Sequence, residues 1–263
     1  MLKNEIAGLI VNKLTGNLDQ LQTAWKNSTP VAHVVVEELL PTKLALEIAN
    51  GFPQLTEMKH ANTMRERKYT SAVSSKWGEA TQSAFLALQD QSVLDALSQL
   101  TGILKLNGDP AAYAGGISAM EFGDFLNPHL DNSTHPSIQG YRRLNSLYYI
   151  GENWNLESGG NLELWSPRMK EKVEVCSSFN RLVIMNTNRK SLHGVNKVKN
   201  QNSLRLCLSN YYFTHESPDG TDYHHVTSFR GRPEEPLKDA YLRIEGYLAS
   251  KVQAIMGKPL KKG

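Results

Sequence analysis

The chain has 263 residues, 40% apolar and 21% charged, with a net charge of +3. This composition excludes a disordered or fibrous protein, and the small charge, with Lys and Arg interspersed among acids, excludes a nucleic-acid-binding face. One large core or two small ones would fit, and β-rich chains of this size often stay single.

Near the N-terminus the apolar run Ala7 to Val11 is too short and too closely flanked by charge for a signal peptide or membrane span, so a cytoplasmic protein with no membrane partner is expected. Leu2, Ile6, Leu9, Ile10 and Leu14 recur at helical spacing, and Leu18, Leu21 and Trp25 repeat the pattern after Gly16-Asn17. Val31 to Leu40, with β-branched Val34-Val35-Val36, predicts a strand that Pro41 stops. Thr42 to Asn50 follows as a helix capped by Gly51, with Pro53 just beyond. From Gln54 to Gly78 no period holds, which predicts a loop or lid with one short strand; its run Arg65-Glu66-Arg67-Lys68 reads first as a solvated face and second as a substrate contact.

Glu79 to Leu100 predicts one helix, with Phe85, Leu88, Val93, Leu97 and Leu100 on one side and Gly102 ending it. Beyond Gly108 short apolar runs alternate with Gly, Pro and Asn. They predict strands at Gly116 to Phe122, Leu144 to Ile150, Asn161 to Trp165, Val173 to Cys176, Arg181 to Asn186 and Leu204 to Phe213. Several short strands separated by turns point to a sandwich or barrel, best a jelly roll. Thr214 to Pro236 reads as an irregular segment draped over the core. A C-terminal amphipathic helix follows, with Leu237, Tyr241, Ile244, Leu248, Val252 and Ile255 on one side, and Lys258 to Gly263 is expected to fray. Cys176 and Cys207 have no metal or disulfide spacing and read as buried thiols in a reducing compartment.

The chemistry concentrates between Asn127 and Phe213. In extended chain His129 and Asp131, two apart, point the same way. With His193 far downstream they make two histidines and one carboxylate, a set that can hold divalent iron by one face and leave open positions for oxygen. A His-x-Asp pair alone is a weak signal. The conjunction is stronger, because His193-Gly194-Val195 precedes a strand on which Arg205, Cys207, Ser209, Tyr211 and Phe213 share a face. A buried guanidinium there requires an anionic partner, and its fork matches a carboxylate at two points. Gly159-Gly160 reads as a tight turn and Arg181 as an outward residue. His135, His215, His224 and His225, in polar segments, read as solvent or substrate-loop residues.

Pro128-His129-Leu130-Asp131-Asn132, Leu147-Tyr148-Tyr149-Ile150, Gly159-Gly160-Asn161-Leu162-Glu163-Leu164, Phe179 to Ile184, His193-Gly194-Val195, and Arg205 with Tyr211-Tyr212-Phe213 together resemble the Fe(II)/2-oxoglutarate dioxygenases of the prolyl 4-hydroxylase type. The likeness covers about residues 115 to 214, with a weaker one at Val31 to Phe52. It implies a mainly β, double-stranded β-helix (jelly-roll) core with flanking N- and C-terminal helices. The expected organisation is one oxygenase domain over 1–263: support in 1–114, catalytic core in 115–214, loop and helix in 215–263. It also implies that His129, Asp131 and His193 ligate iron and act in catalysis. Arg205 would pair with the distal carboxylate of 2-oxoglutarate, Tyr149 would support that carboxylate, Leu162 would line the pocket and Ser209 would add a hydrogen bond. The sequence departs from the pattern at Cys207, where many relatives have serine, and at Phe122.

The implied reaction uses Fe(II), 2-oxoglutarate and O2, with ascorbate as an auxiliary reductant, and hydroxylates an unactivated C–H bond with release of succinate and CO2. Asp131 favours hydroxylation over halogenation, which needs that position free of a carboxylate. Peptidyl proline is the default substrate; a free amino acid, sugar or natural product is the alternative, and fold does not decide between them. A cupin-like metal hydrolase and a non-catalytic binding jelly roll remain as readings from other classes.

Overall fold

The computed structural model describes residues 1–72, 74–109, 112–113, 115–135, 140–218 and 220–256. The expected fraying of Lys258 to Gly263 lies outside them. The chain begins with helices α1 (Leu2–Thr15) and α2 (Leu18–Asn27), strand β1 (His33–Val36) and helix α3 (Thr42–Asn50). Next come β2 (Lys59–Asn62), β3 (Glu66–Ser71), α4 (Glu79–Ala87) and α5 (Gln91–Thr101). Strands β4 (Gly116–Met120), β5 (Phe125–Leu130), β6 (Tyr141–Tyr149), β7 (Leu162–Trp165), β8 (Lys172–Val175), β9 (Arg181–Asn186), β10 (Leu192–Val195) and β11 (Arg205–Thr214) follow. The two-residue β12 (Ser228–Phe229) and helix α6 (Pro236–Met256) close the chain.

The strands form one curled antiparallel sheet in the order β1-β9-β6-β11-β4-β3-β5-β10-β7-β8, with β2 paired to β3 and β12 to β5. It is a mainly β half-barrel of jelly-roll type with helices packed on its outside. One leaf is β1-β9-β6-β11-β4 and the other β5-β10-β7-β8. The bridging strand β3 pairs through Tyr69–Ser71 with β4 and through Glu66–Arg67 with β5.

Strands β9, β6, β11 and β4 bury residues on both faces, whereas β1 alternates half-buried and buried positions. Leu144, Tyr148, Leu182, Ile184, Leu208 and Tyr212 point outward onto α1, α4 and α5, whose Ile6, Ile10, Leu14, Phe85, Leu97 and Leu100 cover them. Burying each such side chain stabilises the fold by about 1.5–3 kcal/mol. Two tyrosines reach polar partners through this layer: Tyr212 donates to the Leu88 carbonyl at 2.9 Å and Tyr148 to Asn180 Oδ1 at 2.8 Å. Between the leaves, Tyr149, Leu162, Leu164, Val175, Val183, Met185 and Cys207 form the inner packing.

Several elements differ from the prediction: β1 spans His33–Val36 rather than Val31 to Leu40, and β5 and β10 lie outside the predicted strands. The single helix expected over Glu79 to Leu100 is two, because Asp90 caps a new start: its carboxylate accepts from Ser92 N at 3.1 Å and pairs with Lys3 at 2.8 Å. The segment Gln54 to Gly78 holds a hairpin, β2–β3, whose largely uncovered residues lack alternation; its pairing with β4 and β5 makes it a strand, not its own pattern. In α6 the apolar residues Leu237, Tyr241, Ile244 and Leu248 are exposed, while Leu242 is the buried one among the described residues. Ion pairs Arg230–Asp239 and Arg65–Glu245 fix that orientation. No helix among the described residues is long and apolar enough to cross a membrane.

Asp90→Ala is expected to lower stability by about 1 kcal/mol, read as a lower urea midpoint, with Asp90→Asn losing less because it keeps an acceptor. Equal midpoints for all three proteins would mean that packing alone sets the break between α4 and α5.

Candidate active site

His129 is the penultimate residue of β5, Asp131 follows that strand directly, and His193 lies in β10 opposite His129. The pairing then slips: Val195 faces Leu126, so Asn127 and Pro128 together oppose Gly194. Pro128 has no N–H to continue a ladder, and a bulge is where a strand tolerates it. Gly194 fits because a Cβ there would stand 2.8 Å from the Leu126 carbonyl oxygen and 2.9 Å from Pro128 N.

The three side chains converge. His129 Nε2 is 3.5 Å from Asp131 Oδ1, His193 Nε2 is 3.7 Å from Asp131 Oδ2, and one potential ligand atom from each residue falls within 4.8 Å of the others. The tautomers are set from behind. His129 Nδ1 lies 3.0 Å from the Asn127 carbonyl and His193 Nδ1 2.9 Å from that of Ser191. A carbonyl only accepts, so Nδ1 carries the proton and Nε2 presents its lone pair. Burial, with the nearby His129, pushes the His193 pKa down to about 4, which keeps the ring neutral. Burial opposes the charge of Asp131, but Arg142 and then the two histidines outweigh it and hold the carboxyl well below its ordinary range. Two neutral imidazoles and an ionised carboxylate are the donor set that suits Fe(II).

Arg142 was not singled out from sequence. Its Nη1 is 3.1 Å from Asp131 Oδ2, which Asn145 Nδ2 also approaches at 3.0 Å, and its Nη2 donates to Asn132 Oδ1 at 2.8 Å. The Tyr211 ring lies 4.3 Å from the guanidinium. Simple alternation along β6 would put Arg142 with Leu144 and Tyr148, toward the helices. A bulge intervenes: Leu144 faces Tyr212 while Arg142 faces Phe213, so Arg143 is skipped and Arg142 joins the inner face.

Arg205 begins β11 and is 4% exposed. Its Nε donates to the Gly160 carbonyl at 2.6 Å and to Ser177 Oγ at 3.0 Å, and Met120 Sδ is 3.7 Å from Nη1. Among the described residues no carboxylate pairs with it. Tyr149 lies under it, ring centroid 4.8 Å from the guanidinium carbon, and the buried Tyr149 hydroxyl has no hydrogen-bond partner among the described residues. A buried cation and an unsatisfied hydroxyl side by side fit an incoming carboxylate. Gly160, at φ +64°, does more than turn the chain: its carbonyl holds Arg205, and a Cβ there would stand 2.9 Å from Arg205 Cδ.

Leu162 is buried in the inner packing with Tyr149 and Cys207. Ser209 sits farther along β11, its Oγ 3.6 Å from Cys207 Sγ. Four residues of strand, roughly 13 Å at the usual rise, separate it from Arg205, and the structure does not bring the two together. Gly159-Gly160 is a turn as expected, and Arg181 pairs outward with Glu37.

A pocket opens on Asp131 and Arg142, walled by Asn132, Thr187, Ser191 and, from the segment after β11, Tyr223 and His225. His135, expected among solvent or loop residues, is instead buried, 3.3 Å from Asp109 and edge-on to Phe213. Its ring packs where its neighbours in sequence are polar, so burial was not legible locally. The basic run is neutralised: Arg65 pairs with Glu245, Arg67 with Asp124 and Lys68 with Glu66.

Residues 115–213 match the profile of the 2OG-Fe(II) oxygenase superfamily. No curated protein matches the sequence. Among solved structures, a prolyl 4-hydroxylase from Phytophthora capsici is 19% identical with a TM-score of 0.56, over 94% of this chain and 77% of that one. A Pseudomonas putida prolyl-4-hydroxylase is 18% identical with a TM-score of 0.53, over 73% and 98%. A 2OG-Fe(II) oxygenase family oxidoreductase from Burkholderia pseudomallei is 12% identical with a TM-score of 0.51, over 78% and 94%. At these identities the likeness is one of fold.

The lowered His193 pKa has a consequence for the metal-free protein. The folded pKa lies below the ordinary 6.5, so the unfolded chain binds the proton more tightly, and stability present above about pH 6.5 is lost as pH falls toward about 4. Urea midpoints of the metal-free chain are expected to fall across that window, and His193→Gln to flatten the fall. An unchanged slope in that variant would show that another group governs it.

Proposed function

We propose, for a chain that belongs through residues 115–213 to the 2OG-Fe(II) oxygenase superfamily of dioxygenases, that it hydroxylates an unactivated C–H bond with release of succinate and CO2. The observation that carries this reading is the pairing of two centres in one interior: a His-Asp-His cluster and, deeper, a buried guanidinium without an anion. His129, Asp131 and His193 would hold Fe(II). Arg205 would take the distal carboxylate of 2-oxoglutarate at two points, with Tyr149 completing that contact and Leu162 lining the space. When bound, iron with 2-oxoglutarate and O2 supplies the oxidising power.

The chain's own residues do the rest. Arg142 and Asn145 hold Asp131 ionised and oriented, and the two backbone carbonyls keep both imidazoles in the ligating tautomer. Tyr149, Leu162, Leu164 and Cys207 keep water from the interior behind the cluster. Ser209, near the middle of β11, is better placed to act through Cys207 than on the cosubstrate carboxylate. Ascorbate would serve as auxiliary reductant. The two free thiols accord with a reducing compartment, and we place the enzyme in the cytoplasm.

Peptidyl proline is the first substrate to test, because two similar structures are prolyl 4-hydroxylases. A polar small molecule is the second substrate to test, because Asn132, Ser133, Thr187, Asn188 and Ser191 surround a water-sized gap beside Asp131 and offer hydrogen-bonding groups.

Anaerobic addition of Fe(II) and then 2-oxoglutarate is expected to produce a visible charge-transfer band, and Arg205→Met to raise the 2-oxoglutarate concentration needed for half of it by at least about 100-fold, the loss of a charge-assisted two-point contact. A band that forms equally in both proteins removes Arg205 from the cosubstrate site; no band in the parent chain removes the oxygenase reading.

A further inference from the structure

The superfamily match ends at residue 213, yet the segment beyond it reaches the metal-ligand cluster. β12 adds to β5 beyond the stretch that β3 covers, with Ser228 opposite Leu130 and Phe229 opposite His129, and Arg230 N donates to the Pro128 carbonyl at 2.7 Å. On the other side of β5, His193 is the partner of His129. Directly opposed residues share a face, so register alone lines up three rings. The His193 and His129 centroids are 4.3 Å apart, and those of His129 and Phe229 are 5.2 Å apart with planes only 24° from parallel. The Arg65 guanidinium, tied to Glu245 of α6, lies 5.6 Å from the Phe229 centroid.

A second anchor stands three residues on. Arg232 Nη2 donates to the Val195 carbonyl at 2.8 Å and to the Leu126 carbonyl at 3.3 Å, spanning β10 and β5 where Pro128 and the bulge interrupt their ladder. Its Nη1 donates to Asn127 Oδ1 at 3.0 Å, and Nε and Nη2 grip Glu163 of β7 at 2.9 and 2.7 Å. The guanidinium thus holds together the two strands that carry the histidines.

We propose that residues 228–232 are a positioning element for the metal site, with Phe229 fixing the plane of the His129 ring and Arg232 fixing the separation of β5 and β10. The inference rests on the reading of His129, Asp131 and His193 as metal ligands. With Nδ1 hydrogen-bonded to the Asn127 carbonyl, the imidazole retains freedom to swing about that bond; a near-parallel ring against one face and His193 against the other remove it. Loss of an outer-shell hydrogen-bond partner ordinarily weakens metal binding by about 10–100-fold, and a stacked ring constrains the same orientation of the imidazole.

The test is titration of the metal-free full chain with Co(II), followed by its visible ligand-field bands, which needs no turnover. Phe229→Leu, close in volume but without a flat ring, is expected to weaken Co(II) binding about tenfold and to alter the bands, and Phe229→Tyr to restore both. Parent-like affinity and bands in the Leu variant overturn the inference. So does an equal loss in the Leu and Tyr variants, which would mark a packing defect that a ring does not cure. Failure of the parent chain to bind Co(II) at all would instead remove the metal-ligand reading on which the inference stands.

Discussion

The pairing of β5 with β10 sets His129 opposite His193, and the geometry of the cluster follows from it. Two imidazoles 4.3 Å apart, centre to centre, would repel if both were charged; burial holds His193 neutral, and the carbonyls behind both rings turn their Nε2 atoms toward the cluster. The ladder cannot be regular here, because Pro128 brings no donor and Gly194 must lie almost on the opposing backbone. What the backbone leaves unsatisfied, the Arg232 side chain supplies. The strand pair is therefore completed by a residue more than thirty positions further along the chain.

The interior contains two buried arginines in opposite electrostatic conditions. Arg142 is matched by Asp131 and Asn132 and lies over an aromatic ring, so its charge is balanced within the protein. Arg205 has a carbonyl, a hydroxyl and a thioether, which orient it without neutralising it. Leaving a buried charge uncompensated is costly, and among the described residues the fold does so at Arg205 and not at Arg142. Cys207 follows the same logic: burial pushes its thiol pKa up, so it adds no negative charge beside Arg205.

Much of this was legible in the sequence. The spacing of His129 and Asp131, the later His193 and the inward Arg205 pointed to the residues the fold gathers, and the strand at Arg181–Asn186 appears with the predicted limits. Short strands were the weak point. β5 and β10 carry two of the three clustered residues yet contain Asn127, Pro128 and Gly194, residues that signal turns. Arg142 was hidden by a bulge, which exchanges the two faces of a strand without leaving a mark in the hydrophobic pattern. Tyr223, His225, Phe229 and Arg232 belong to a Pro- and Gly-rich segment whose role is set wholly by where it lies, so only coordinates could assign it.

β3 touches both leaves of the sheet, two residues on one and three on the other, with Lys68 at the changeover. Separate residues of one six-residue strand make the two junctions, so the leaves are joined by continuous backbone through Lys68. A tilt of one leaf is therefore passed along the backbone of β3 to its counterpart.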